Sequence, residues 1–510
     1  MSDTSHVRLR TVALVRCFCP EFILQAAVVT SVLLFSANAT GQVTPVALVS
    51  VGDIAPGVSP AQAFSRLLFP SFDQQGTIYF DGWLSDNANG GWWYGRGSDE
   101  LNLLARRNET VIRTPYADVL ARPGTPSYAG NRALIFQNDA VNDIVWMAAP
   151  GSAQFIADAR EFGEDVFLDS DLSQFNSAGT IALLVELPNS KEILFGDANG
   201  LSLLAKSGSQ AAGYPEGVTY GTSFLSGGLG TSLNENNQYV FVGSADFPNE
   251  RRSAIWINDD RGLRLLVDAN DLPPAAEGKQ VSLGLPFIGS SGGVAFRAGE
   301  RSSGDPNIIY SVWAHNSQGL KQIVVEGGHL PGVPNSAVSV KEILSYTHVN
   351  KNGNIAITAE LENGQSGLWF GQPDDLHAEM LSGVGFRPDV AVSSVISCSI
   401  NDLDQVVFTG TSGMARGQWF VDQDGDVHTL FIVGGAFKVS DGDVRTVASF
   451  TNGLQQLSND GKVVAALTFR DGSSGIFVWD FAPEPSGLQL GLLASSALFF
   501  RQSKRFRQRS

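Results

Sequence analysis

The chain has 510 residues, of which 43% are hydrophobic and only 17% charged. That apolar content excludes a disordered polymer, and the 55 glycines follow no three-residue period, which excludes a collagen-like helix. Residues 40–486 hold 26 basic and 49 acidic side chains, a net charge of −23; a body this acidic repels phosphate backbones, so nucleic acid is not expected as a partner.

At the N-terminus, Arg8, Arg10 and Arg16 precede an apolar run from Phe22 to Phe35. Ala37-Asn38-Ala39 then supplies the small residues a signal peptidase needs, so residues 1–39 read as a secretory signal cleaved after Ala39. The run is shorter than the ~20 residues of a spanning helix. Cys17 and Cys19 leave with this leader, and Cys398 alone remains. The mature chain therefore forms no internal disulfide and no Cys-based metal cluster, and Cys398 reads as a small buried hydrophobe.

The body, residues 40–482, is one unit repeated eight times. A Gly/Asn/Asp turn followed by a short apolar strand recurs, from Asp73-Gln74-Gln75-Gly76-Thr77-Ile78-Tyr79-Phe80 to Asn459-Asp460-Gly461-Lys462-Val463-Val464-Ala465. The turns pivot near residues 76, 130, 179, 237, 293, 353, 404 and 461. Gly, Asn and Asp tolerate the positive φ of a tight turn, and the alternation that follows is that of a strand. The next strand carries Trp92-Trp93, Trp146, Trp256, Trp313, Trp369, Trp419 or Trp479, with Phe195 in the remaining repeat. A further strand such as Leu263-Arg264-Leu265-Leu266-Val267, a Gly/Pro-rich loop and one more strand complete each unit.

Units of four short strands without helices suit an all-β, eight-bladed β-propeller, because stacking the sheets in a ring buries both faces of each. The repeated Trp then packs between blades. Trp83 is out of phase with it and is the candidate for ligand contact. The last unit stops after Gly475-Ile476-Phe477-Val478-Trp479-Asp480, short of one strand; Val46-Ala47-Leu48-Val49-Ser50 at the start of the mature chain supplies it. Residues 45–50 are therefore expected to pair with residues 475–481 and close the ring, removing its open edge.

At the C-terminus, Pro483-Glu484-Pro485 is followed by an apolar run, Leu488 to Phe500, and by Arg501, Lys504, Arg505, Arg507 and Arg509. In this order the segment 483–510 resembles the PEP-CTERM sorting signal. That resemblance implies an exosortase-like processing enzyme as partner, with Pro483, Glu484 and Pro485 as the sorting motif. It also implies transient membrane association through the tail, the basic cluster holding the end on the cytoplasmic side. The pivot pattern is similar to the NxxGxxAF tandem-repeat proteins found with such tails; no activity follows from that family.

Chemistry in the body is sparse. Gly289-Ser290-Ser291-Gly292-Gly293 has nucleophile-elbow spacing but enters a strand rather than a helix. His315, His329, His348, His377 and His428 show no metal-ligand spacing. Asp422, Asp424 and Asp426 alternate around Gly425 and could present oxygens to Ca²⁺, although Asp-Gly is also a hairpin turn. The sequence therefore points to an exported, cell-surface or matrix-associated propeller that binds or scaffolds, with an extracellular polysaccharide or surface protein as partner. An extracellular polysaccharide hydrolase or lyase on the same fold is the alternative, and it requires acidic or His side chains converging at one end of the channel.

Overall fold

The computed structural model describes residues 43–481, except 74, 87–88, 122–124, 130–131, 140–141, 222–229, 274–278, 303–305, 334–336, 383–391 and 452–454. Ala37, Ala39 and Pro483 to Pro485 lie outside the described residues. Blade 1 is the antiparallel sheet Phe64–Phe72, Ile78–Leu84, Gly90–Gly95 and Asn102–Arg106, in that order from the channel outward. Blades 2 to 7 repeat this order from inner strands that include Thr125–Ala129, Phe167–Phe175, Thr231–Leu233, Lys279–Ile288, Val340–Tyr346 and Ser394–Ile400. The protein is an eight-bladed β-propeller, and its only helices among the described residues are three-residue 3₁₀ turns.

The second strand of each blade shows why the ring forms. In Tyr239–Asp246, Phe241 packs with Leu184 and Ile193 of blade 3, while Val240 and Val242 pack with Leu283 and Phe296 of blade 5. Both faces are apolar because both are covered, which an isolated sheet could not achieve.

Trp93, Trp146, Trp256, Trp313, Trp369 and Trp419 occupy one register, each opposite the third residue of the second strand's apolar run: Phe80, Ile135, Phe241, Phe296, Ile357 and Phe408. All six are buried. Immediately before each of them the pairing with the outer strand shifts by a bulge, which increases local twist. Two sequence assignments shift. In blade 3 Leu194 holds this register, and Phe195 turns to the other face against Tyr239 of blade 4. In blade 8 Phe477 holds it, and Trp479 lies two residues further along, opposite Val463.

Closure follows the expected route. Val46, Ala47, Val49 and Ser50 pair with Val478, Phe477, Ile476 and Gly475, and the register shifts between Ala47 and Val49, at Phe477. The N-terminal strand thus reproduces the bulge of every other outer strand. The loop after it also behaves like its counterparts. Trp93 Nε1 donates to Pro56 O (3.0 Å), as Trp256 does to Ala212 O (3.0 Å) and Trp369 to Pro331 O (2.9 Å). A glycine follows each carbonyl; Gly57, Gly213 and Gly332 have φ of 76°, 81° and 75°. A Cβ there would come within 3 Å of Leu103, Leu265 and Ala378, so the loop reaches the indole only because these positions lack a side chain. Phe64, Phe80 and Trp93 of blade 1 share one core with Val464, Ala466 and Ile476 of blade 8.

Sequence reading missed two hairpins, Val111–Arg113 with Asp118–Leu120 and Ala436–Ser440 with the start of Asp443–Thr451. Cys398, on the inner strand of blade 7, packs against the core, and burial pushes its thiol up to about 12.

Candidate functional site

The topology divides the ring into two faces. The turns between first and second strands, and between third and outer strands, lie on one face, called the turn face here. The interblade loops lie on the other.

On the turn face the repeated Asn has a double role. Asn234 Oδ1 accepts from the N–H of Asn236 and Gln238, both 3.0 Å, which shapes the turn, while Nδ2 donates to Gly289 O of the next blade at 2.9 Å. Asn176 donates to Asn234 O (2.9 Å), Asn350 to Asn401 O (2.9 Å) and Asn401 to Ser458 O (2.8 Å). At the one gap Gly289 stands in the Asn position, where a Cβ would fall 1.5 Å from Val349 O, and Ser291 Oγ makes the link instead, to Asn350 O at 3.1 Å. A belt of hydrogen bonds therefore runs unbroken from blade 3 to blade 8.

Two carboxylates on this face bind groups of other blades. Asp402 of blade 7 accepts from Ser290 Oγ of blade 5 (2.9 Å), Lys351 N–H of blade 6 (2.9 Å) and Asn459 Nδ2 of blade 8 (3.2 Å). Glu235 accepts from both the N–H and the hydroxyl of Ser177. Gln75 Nε2 of blade 1 reaches Ser177 Oγ of blade 3 at 3.2 Å, past blade 2. Ser290 is thus a staple across blade 6, and its segment leads from a turn into the strand Val294–Ser302, not into a helix. Burial holds His348 below the ordinary imidazole value, against the opposing pull of Asp402.

The remaining histidines stand apart. His377 Nε2 lies 2.7 Å from Glu379, His329 Nδ1 is 3.1 Å from Val338 O, and burial lowers His315. Asp422 Oδ1 accepts from the N–H of Asp424 (3.0 Å) and Asp426 (2.8 Å), and Oδ2 sits 2.7 Å from His428 Nε2. Burial disfavours its charge, but His428 and the two N–H groups outweigh that and hold the carboxyl below its ordinary value. Gly425 turns the hairpin with φ of 77°. No group of three or more metal-ligating side chains gathers among the described residues.

On the loop face Trp83 is half-buried, and the Arg107 guanidinium lies 4.8 Å from its ring centre and 5.0 Å from that of Trp92. Arg107 pairs with Asp81 at 2.5 Å. Burial raises the Asp81 carboxyl, with Arg107 opposing. Trp83 is therefore a packing partner of a buried cation between blades 1 and 2. A larger cleft of about 1010 Å³ opens between blades 4 and 5, beside Arg251, Arg252, Gln280 and Arg301.

Two clefts open on the turn face. One of about 530 Å³ is lined by Gln75, Thr77, Tyr94, Arg96, Asn102 and Ser177. The other, of about 430 Å³, is lined by Arg132, Gln154, Gly179, Asp197 and Asn199 among others. Nothing in the sequence marks them, since their walls come from three different repeats.

With this geometry in view, the chain matches the family model described as Family of unknown function (DUF7453), over residues 24–376 and 362–489. The chain belongs to that family. No curated protein matches it. Among solved structures, this DUF7453 chain is similar in fold to apo prolyl oligopeptidase B from Galerina marginata (TM-score 0.41, 10% identity, covering 84% of this chain and 50% of that one). It is also similar to an oligogalacturonate lyase in complex with manganese (TM-score 0.37, 10% identity, 87% and 98%) and to the oligogalacturonate lyase of Vibrio parahaemolyticus (0.36, 10%, 88% and 100%). The chain spans about half the length of the prolyl oligopeptidases it matches. At this level of identity the likeness concerns the propeller fold alone.

Proposed function

We propose that this protein is an exported, surface- or matrix-associated propeller whose work is binding or scaffolding. One observation carries the reading: the turn-face carboxylates Asp402 and Glu235 are already engaged between blades. Asp402 receives donors from blades 5, 6 and 8, and Glu235 receives two from Ser177. A general acid or base must reach the substrate's proton with free hydrogen-bonding capacity; these groups instead tie blades together. The clefts between blades offer places to hold a partner.

Export and sorting rest on the leader and on the Pro483-Glu484-Pro485 tail, with an exosortase-like enzyme as processing partner. Among the described residues no helix is long and apolar enough to cross a membrane; membrane association in this reading rests on the apolar run and basic end of the tail. Two measurements test the proposal. Replacing Arg501, Lys504, Arg505, Arg507 and Arg509 by Gln abolishes normal sorting and leaves the circular dichroism spectrum unchanged; normal sorting refutes the tail's role. Immobilised full chain retains a component of the producing organism's envelope or exopolymer fraction; retention of nothing, or turnover of a polysaccharide, refutes the binding role.

A further inference from the structure

We infer that the two turn-face clefts form one groove across blades 1 to 3 that takes a neutral, polyhydroxylated chain, that is, a stretch of uncharged polysaccharide. The inference rests on the binding reading above and assigns it a place and a ligand class.

The clefts lie where the repeat departs from its pattern, around blade 2. In blades 1, 3, 4 and 7 the first two strands are joined by a five-residue turn whose Asn or Asp accepts from the N–H four residues on, as Asp73 does from Thr77 (2.8 Å) and Asn176 from Thr180 (2.9 Å). In blade 2 Ala129 pairs directly with Arg132, which leaves only two residues between the strands. The turns of blades 1 and 3 meet across this shortfall through Gln75 and Ser177. Both clefts border the blade 3 turn, the first at Ser177 and the second at Ala178 and Gly179.

Shape and chemistry then select the occupant. Two neighbouring clefts of about 530 and 430 Å³, both bordering the blade 3 turn, suit an extended ligand better than a single compact one. The lining is dominated by hydroxyl, amide and charged groups, so an apolar ligand would strand them unpaired. Charge is balanced within each cleft, Arg96 against Glu100 and Arg132 against Asp197. The body around them carries a net charge of −23, which disfavours a polyanion at low ionic strength. One aromatic face is provided by Tyr94. Its ring stacks on buried Tyr79 (centroids 6.3 Å apart, planes at 20°), and the Tyr79 hydroxyl donates to Asp73 at 3.2 Å. Tyr94 is thereby held rigid, which lowers the ordering cost of stacking a sugar ring on it. Asn102, exposed beside it, is braced by its own donation to Glu100 O at 2.6 Å.

The test is affinity electrophoresis of the full chain in native gels containing dextran, galactomannan, xyloglucan or alginate. At least one neutral polymer retards the protein, and alginate does not. Arg96→Ala, Asn102→Ala and Tyr94→Ala each weaken the apparent Kd about tenfold without moving the melting midpoint of the two exposed-site variants, and Arg301→Ala on the opposite face changes nothing. Retardation unaffected by Arg96→Ala and Asn102→Ala removes the ligand from this groove while leaving a binding role intact. Retardation by alginate alone overturns the neutral assignment. Retardation by none of the three neutral polymers overturns the inference, and the envelope-retention experiment then decides separately whether the chain binds anything.

Discussion

Replacing Asn401 by Asp removes the bonds its amide donates, one of them the interblade bond of the hydrogen-bond belt, and keeps the turn. Asn401 is 1% exposed. Its Oδ1 accepts from the N–H of Leu403 and Gln405, both 3.0 Å, and its Nδ2 donates to Ser458 O and to Gln405 Oε1, both 2.8 Å. Aspartate keeps the acceptor and hence the turn. It turns both donated bonds into oxygen facing oxygen. Two lost bonds amount to ~1 kcal/mol each, and a buried carboxylate without a cation raises the total to ~3–5 kcal/mol. The variant's carboxyl is pushed above the ~3.9 of an unfolded chain. Its penalty is therefore absent below that pH, grows as pH rises through it, and is complete above the raised folded value. Urea denaturation at pH 7 and at pH 4 measures this, with Asn363→Asp at an exposed turn as the control. A loss at pH 7 no larger than that of Asn363→Asp, ~0.5 kcal/mol or less, would refute the claim that this amide joins blades 7 and 8.

Three further outcomes follow from the same geometry. Trp369→Ala costs ~3–5 kcal/mol, whereas Trp369→Phe keeps most packing and loses chiefly the bond to Pro331 O, ~1 kcal/mol; a Trp369→Phe variant as stable as the parent in thermal or urea melts would contradict the contribution of that bond. Adding Ca²⁺ or EDTA leaves the melting midpoint unchanged, because Asp422 is spent on its own turn and on His428; a calcium-dependent rise would show Asp422, Asp424 and Asp426 to be ligands. Deleting residues 43–52 lowers the midpoint of the whole transition rather than fraying one end, as calorimetry would show.

Much of the fold was legible because its determinants are local and repeated. Turn residues, strand alternation and a Trp at one phase recur often enough to count blades, and a last unit short of one strand pointed to Val46–Ser50. Misassignments arose where residue type and register part company. Phe195 looks like the missing Trp, but register is set by pairing, and Leu194 is the residue opposite Leu183. The interblade role of the repeated Asn was hidden because its partner is a backbone carbonyl one blade away, which no spacing rule encodes. The same holds for the site. Trp83 stands out by phase, which does not encode its contact with Arg107, and the turn-face clefts draw their walls from blades 1, 2 and 3, which only the fold brings side by side.

Ring closure is tested most directly by native-state hydrogen exchange of the backbone amides in Val46–Ser50. The account predicts that amides bonded to the Ser474–Asp480 strand exchange as slowly as those of Lys462–Phe469 and open together with them, at the free energy of global unfolding. Rapid exchange of residues 46–50 while residues 462–469 stay protected would show a frayed end, and would contradict a ring sealed by the N-terminal strand.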